Sequence, residues 1–306
     1  MWRFAARRLV LAVLVSISVS LICFSLLRLS GDLARALAGP QATADDVVQI
    51  ARTYGLDRPV HVQYLDWVGR LLKGDLGTSF FGATPVLDAI LARAPVTLTL
   101  AIGALLLALA VAIPLGVLAA LRPNTWLDRG VAALAVTGQA MPSFWLGLIL
   151  IWVFGVRLRL LPIAGSESWR HFILPTAVLA YSAVPALMRL VRAGMVEVLA
   201  SDYIRTARAM GLAPFAILFK YALRNALVPV IALAAVQLGS LLAGSVVIEA
   251  VFGLNGIGQL AWTSISRNDF PVVQSIVLVV SLLYILLTFL GDLLNAAVDP
   301  RIRGQA

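Results

Sequence analysis

The sequence predicts an all-α polytopic membrane protein, with six transmembrane helices and a small helical cap on the outer face. Three observations lead there. The 306-residue chain is 61% hydrophobic and only 13% charged, far from the make-up of a soluble domain. Its mean hydropathy is +0.95. Apolar runs at 9–29, 96–121, 131–156, 172–191, 227–251 and 272–294 each reach the ~20 residues that a helix needs to cross a bilayer. A barrel strand would need only about 10 residues and would alternate polar with apolar positions, and these runs do not alternate.

Six crossings place both termini on one side, and charge says which. With the N-terminus inside, the inside segments hold thirteen of the 24 basic residues and the short outside loops hold four: Arg157, Arg159, Arg170 and Arg267. That asymmetry is the positive-inside bias, so both termini are expected in the cytoplasm. The net charge of +9 then reflects topology and anionic lipid, and gives no reason to invoke nucleic acid.

The first apolar run follows Arg7 and Arg8, like a secretory signal. Its core exceeds the roughly 7–15 residues of a signal h-region, so it is expected to stay as the first crossing. Cys23 lies inside it and, as the single cysteine, can form neither an internal disulfide nor a thiolate metal cluster. The outer segment, 30–95, is written as helices. Thr43 is set to cap a helix that carries Asp45 and Asp46 in its first turn and stops at Gly55. A second runs from Pro59 to a stop at Gly74, and a third, 85–93, leads into the second crossing. His61 and His171 have no second ligand at helical spacing, which leaves them as surface or interface residues. The chain therefore divides into 1–95, the first crossing with the outer helices, and 96–306, a five-helix body with an inner loop at 192–226.

Ionisable residues are nearly absent from the apolar runs. Arg28, Arg189, Glu249 and Asp292 all lie near run ends, which argues against a proton-coupled carrier. There is no GxxxxGK[ST] phosphate loop, HExxH or GxSxG, so the chain has no nucleotide cradle and no catalytic constellation. In the fifth run Gly239, Ser240, Gly244 and Ser245 recur on consecutive turns. Such small residues pack helices closely or form a pore-facing stripe.

The longest inside segment holds "SDYIRTARAMGLAPFAILFKYALRNALVPV", residues 201–230. It predicts a helix from about Asp202, a break at Gly211, a short helix from Pro214 and re-entry near Pro229. A helix–Gly–helix elbow of this kind projects rigidly and suits mechanical coupling to another protein.

Here the sequence resembles the permease subunits of binding-protein-dependent ABC importers, in the dipeptide, oligopeptide and nickel branch. The elbow is similar to that family's coupling loop, with Arg205-Thr206-Ala207 at the EAA position, then Gly211, then Tyr221-Ala222-Leu223-Arg224. Arg205 replaces the general glutamate, and the proline falls at Pro229. The likeness runs the length of the chain: "GLDRPVHVQY", "GDLGTSF", "MPSFWLG", "LPIAG", "VFGLNGIGQL", "RNDFPVVQ" and "AAVDPRIR" occur in that order. Asp32-Leu33 stands where Asp-Pro is usual.

The resemblance implies a type I importer permease fold in a bacterial inner membrane, paired with a second homologous permease. It implies two ATP-binding cassette ATPase subunits holding ATP and Mg, and a soluble binding protein that delivers di- or oligopeptides. No cofactor is expected on this chain. Tyr203, Arg205, Thr206, Ala207, Gly211 and Leu212 would couple to the ATPase, with Arg205, Ala207 and Leu212 forming the entering face. Met141, Phe144, Trp145, Ser240 and Ser245 are candidates for the translocation path. Asn255, Gly256 and Asp269 are candidates for docking the binding protein. Within the class, the cargo could equally be glutathione, nickel or a metal chelate. A channel or secondary carrier would need mid-span acidic residues or inverted repeats with broken helices, and a membrane enzyme would need a reactive constellation.

Overall fold

A computed structural model describes residues 2–29, 33–39, 41–81 and 84–298. Among these residues no strand forms, and helices carry the whole architecture. In chain order they are α1 (Trp2–Leu29), α2 (Leu33–Ala38), α3 (Ala44–Thr53), α4 (Val60–Leu71), α5 (Val86–Leu121), α6 (Trp126–Ala140) and α7 (Ser143–Leu150). α7 continues as π-helix through Ile151–Arg157. There follow α8 (Arg170–Leu199), α9 (Asp202–Ala209) and α10 (Pro214–Ala216), the last extended by a π-helical turn, Ile217–Leu223, and by α11 (Arg224–Ala226). The chain closes with α12 (Val228–Phe252), α13 (Ile257–Ser266) and α14 (Phe270–Val298). The motif "AAVDPRIR" runs beyond the described residues.

Five helices are long and apolar enough to cross a membrane: α1, α5, α8, α12 and α14. The third expected run is not one helix but two. Pro142 has no N–H to continue the ladder and disfavours helical backbone at the residue before it. Met141 accordingly sits extended, at φ −90° and ψ 122°. A sixth crossing still follows from packing. A Cβ on Gly103 would touch Thr176 at 3.6 Å, and one on Gly116 would meet Val191 at 2.8 Å. Advancing along α5 thus advances along α8, so the two helices run parallel. The chain between them must return across the bilayer, and α6 with α7 make that return.

α12 runs antiparallel to both α8 and α14. Gly194 faces Ala226 and Gly244 faces Leu179, which sets α12 against α8; Gly239 faces Tyr284 and Gly291 faces Ala235, which sets α14 against α12. The start of α1 meets the end of α14 through Arg8 and Asp292, 3.0 Å apart. Both described ends of the chain therefore lie on one face, together with the elbow at α9. The other face carries the cap.

In lipid, apolar burial does not drive helices together, so close packing must. Ala101, Ala104, Ala108 and Ala112 are fully buried along one stripe of α5, a seam of small residues that lets α8 approach. Leu187, Met188, Val191 and Met195 complete this core on α8.

The cap follows its own start and stop signals. Thr43 caps α3 by accepting from the Asp46 N–H, while the Asp46 carboxyl accepts from the Thr43 N–H at 2.9 Å. The Thr43 hydroxyl, which donates to the same carboxyl at 2.7 Å, and then the Thr43 N–H hold the Asp46 carboxyl below the usual carboxylate range. Tyr64 on α4 hydrogen-bonds Ser20 of α1 at 2.8 Å and meets Phe24 edge-on, with centroids 5.4 Å apart. The third expected outer helix is the first turns of α5, so the division at 95/96 falls inside a continuous helix.

Candidate functional site

Three features could serve transport: the elbow, a buried turn at the cap end, and the exposed residues of α7 and α12. The elbow begins where α8 stops at Leu199 and Ser201 turns extended. α9 then shows two unlike faces. Ile204 and Ala207 are buried against the bundle, while Arg205 points outward and pairs with Asp202 at 3.1 Å. Thr206 is exposed and donates to the Asp202 carbonyl at 3.0 Å. Tyr203 is exposed and its hydroxyl accepts from Asn225 at 2.9 Å, tying α9 to α11. Gly211 turns the chain at φ +76° with open space where a Cβ would lie. Its requirement is therefore conformational and not steric.

The elbow's outward face differs in membership from the one the family pattern suggests. Ala207 faces the core and Leu212 is half-buried against it, so of the expected trio Arg205 alone is presented outward. Met210, Phe215 and Phe219 are exposed beside it at 69%, 73% and 46%. Phe215 and Phe219 stack on each other with centroids 4.4 Å apart. An aromatic pair left uncovered at the end of a rigid projection is the composition of a protein-docking surface. The sequence does not mark these side chains, because spacing on such short helices does not tell outward from inward.

Upstream, the last turns of α8 clasp α6. Arg192 donates through Nε to Asp128 Oδ1 at 2.5 Å and through its terminal nitrogen to Oδ2 at 2.6 Å. The Asn124 N–H adds a third bond to Oδ2 at 2.9 Å. Asp128 is buried ahead of the apolar run, and the forked Arg192 guanidinium, with the Asn124 N–H, draws its carboxyl down to about 2.

At the cap end, α12 stops at Gly253, which adopts φ +59°, and the chain folds back as α13. Glu249, wholly buried, sits inside that turn. Its Oε1 accepts from Thr97 at 2.8 Å, and Ser245 shares its hydroxyl proton between Oε1, at 3.0 Å, and the Leu242 carbonyl. Its Oε2 accepts from the Gln259 N–H at 3.1 Å, and Thr97 Oγ1 takes the Ile257 N–H at 2.8 Å. The first N–H groups of α13, which have no partner within their own helix, are thus satisfied by α5 and α12. Gly256 and Gly258 lie against this carboxyl so closely that a Cβ would overlap it. The motif "VFGLNGIGQL" is a turn built around Glu249, and the lone acidic residue in an apolar run was its signal.

The remaining expected residues separate by position. Asn255 is exposed and accepts from Arg93 at 3.2 Å. Gly256 and Asp269 are buried; Asp269 accepts from Ser79 and from the Phe80 N–H, stapling "GDLGTSF" to the start of α14. Phe144 and Trp145 are each 48% exposed, and Met141 is half-buried at the break. Ser240 is exposed, whereas Ser245 belongs to the Glu249 cluster. Gly239 packs on Tyr284, so the small residues of α12 serve mainly to pack helices.

Residues 112–304 match the family model described as binding-protein-dependent transport system inner membrane component, and residues 1–101 match the N-terminal model of that membrane component. The chain belongs to this family. It is an all-α permease subunit of a binding-protein-dependent ABC importer and a multi-pass membrane protein. The permease is 41% identical to the glutathione transport system permease protein GsiC of Salmonella typhimurium strain LT2, over 96% of this chain and 94% of the relative. It is 38% identical to a probable peptide ABC transporter permease protein, y4tP, of Sinorhizobium fredii, over 97% and 98%. Inward-facing structures of the MetNI methionine ABC transporter share the fold, with a TM-score of 0.57 at 26% identity over 69% of this permease and 96% of that chain.

Proposed function

We propose that the permease passes short peptides, delivered by a soluble binding protein, through a pore it forms with a second permease. Two ATPase subunits, which hold the ATP and Mg, drive it through the elbow. The observation that carries the cargo class is end-to-end likeness to both a glutathione permease and a probable peptide permease. Glutathione is itself a tripeptide, so one chemical class covers both relatives, and glutathione is the first member of it to test.

In this reading the elbow face lies in the cytoplasm of a bacterial cell and the cap face outside, in keeping with the basic residues of the inner segments. Tyr203, Arg205, Thr206, Met210 and Phe215 meet the ATPase, Gly211 sets the angle at which they are offered, and Ala207 and Leu212 anchor that face to the bundle. Phe144, Trp145 and Ser240, left exposed on α7 and α12, supply surface for the pore or the second permease. Asn255 offers the binding protein a polar contact on a turn held rigid by Glu249.

Co-purification of the permease from its native membrane tests this. ATPase subunits and a second permease are expected to accompany it. ATP hydrolysis is expected to rise with binding protein carrying glutathione or a dipeptide, but not with the same protein carrying nickel. A permease that purifies alone and still moves solute would overturn the reading, and stimulation by nickel alone would overturn the cargo.

A further inference from the structure

We infer that the Arg192–Asp128 ion pair is a tie-rod that makes the broken third crossing follow the elbow, so that both residues position the transport path. The inference rests on the elbow being the segment that the ATPase subunits move.

The geometry points to it in three steps. First, the elbow and the end of α8 form one body. Ile204, Ala207, Ile217, Ala222 and Ala226 are buried in the same core as Val191 and Met195, and the Gly194 backbone lies against Ala226. Displacing α9 must therefore displace Arg192. Second, Arg192 grips α6 at its very start, through two bonds from a planar fork to a buried carboxyl. A bidentate pair fixes direction as well as distance, and the third bond from the Asn124 N–H holds the carboxyl in place from the α6 side.

Third, α6 ends at a joint. Met141 is extended and Pro142 restarts the helix, so no ladder of hydrogen bonds makes α6 and α7 a single rod. A pull on Asp128 is therefore free to swing α6 about residues 141–142, and to change how Phe144 and Trp145 are presented just past that joint. Phe144 and Trp145 are among the exposed residues of the crossing. An unbroken helix would need no such tie at its end; a jointed one does, because its lower half, packed through Ala135, is not continued by the hydrogen-bond ladder of the helix above it.

The test uses the full importer complex, purified with its ATPase subunits, in a Cys23→Ser background carrying Phe144→Cys. Labelling of that thiol by a maleimide is measured without nucleotide and with a non-hydrolysable ATP analogue; no transported solute is needed. In the parent, nucleotide is expected to change the labelling rate by about fivefold or more, the scale of an ordinary coupling between two sites. In Asp128→Asn and in Arg192→Gln the change is expected to vanish, while co-purified ATPase and the labelling rate without nucleotide stay at parent values. The exchange Asp128→Arg with Arg192→Asp is expected to recover part of the change.

Retention of the full nucleotide response in either single variant overturns the tie-rod. So does loss of bound ATPase in step with the response, together with failure of the exchanged pair to recover any of it, because a merely structural pair behaves that way. A parent complex that binds ATPase subunits but shows no nucleotide response overturns the tie-rod and leaves the importer reading standing. A parent that binds no ATPase overturns both.

Discussion

The elbow at one face and the α12–α13 turn at the other are the same device in opposite surroundings. Each joins two helices through a glycine in the left-handed region, Gly211 at φ +76° and Gly253 at φ +59°. Around Gly211 there is open space, and its neighbours Met210 and Phe215 are left uncovered. After Gly253 the turn is packed shut, with Leu254 fully buried and the first amides of α13 bound by Thr97 and Glu249. A turn whose polar groups are met internally is finished within its own chain. A turn that leaves an aromatic pair exposed is unfinished, and in the proposed reading the ATPase completes it. The cap-end turn should therefore govern the stability of the permease, and the elbow its assembly and coupling.

Breaking the cap-end turn at its centre should have the largest effect. Glu249→Ala strands the buried Thr97 hydroxyl and backbone amides of α13, a loss on the order of 3–5 kcal/mol. The detergent-purified complex should melt markedly lower, and Glu249→Gln, which keeps an acceptor, should lose clearly less. If Glu249→Ala melts like the parent, the turn is not held by its carboxyl.

Gly258→Ala tests the same turn through shape, because its Cβ would overlap the Val246 Cα of α12 and lie 2.9 Å from the Glu249 carboxyl. A loss of about 1–3 kcal/mol is expected from the overpacking, read in the same melting experiment. Gly211→Val meets no neighbour but forces a β-branched residue to positive φ, a strain of roughly 1–2 kcal/mol confined to the elbow. The variant should insert and melt nearly like the parent, yet stimulation of ATP hydrolysis by loaded binding protein should disappear. Undiminished stimulation would remove the elbow from the mechanism.

Phe215→Ala sharpens the contrast from the elbow side. Being exposed, it should move stability by less than about 0.5 kcal/mol. As an aromatic anchor it should weaken ATPase binding by about tenfold, read as subunit retained on washing. The smallest expected effect is the acid response of the Arg192 pair. The Asp128 carboxyl titrates at about 2 in the folded chain, below the ~3.9 of an unfolded aspartate. Its contribution to stability is therefore complete above about pH 4 and is lost as pH falls through about 2. The difference in melting between the parent and Asp128→Asn should stay constant from about pH 7 to 5 and shrink only below 4.

Much of this contrast was legible in the chain. The apolar runs located every crossing because a membrane demands long, uninterrupted apolarity of any helix that spans it. Thr43, Pro59, Asp202, Gly211 and Pro214 marked helix starts and stops because capping and positive-φ turns are local chemistry, and the structure begins α3, α9 and α10 at those marks. The break at Met141–Pro142 was also written in the chain, although apolar continuity on either side of it hid the proline's consequence.

Which way each side chain points was not written there. Ala207 faces the core and Arg205 faces outward on one short helix, a matter of how α9 rolls against α8 and α10. Ser240 and Ser245, alike in type and neighbourhood, end respectively exposed and locked to Glu249. The pairings Thr97 with Glu249 and Asp128 with Arg192 join residues 152 and 64 positions apart, and a single sequence carries no local trace of such partners. Length, apolarity and capping are properties of a segment and so belong to the sequence. Partnership across helices depends on the register in which the alanine seam of α5 sets against α8, and tertiary packing alone decides that.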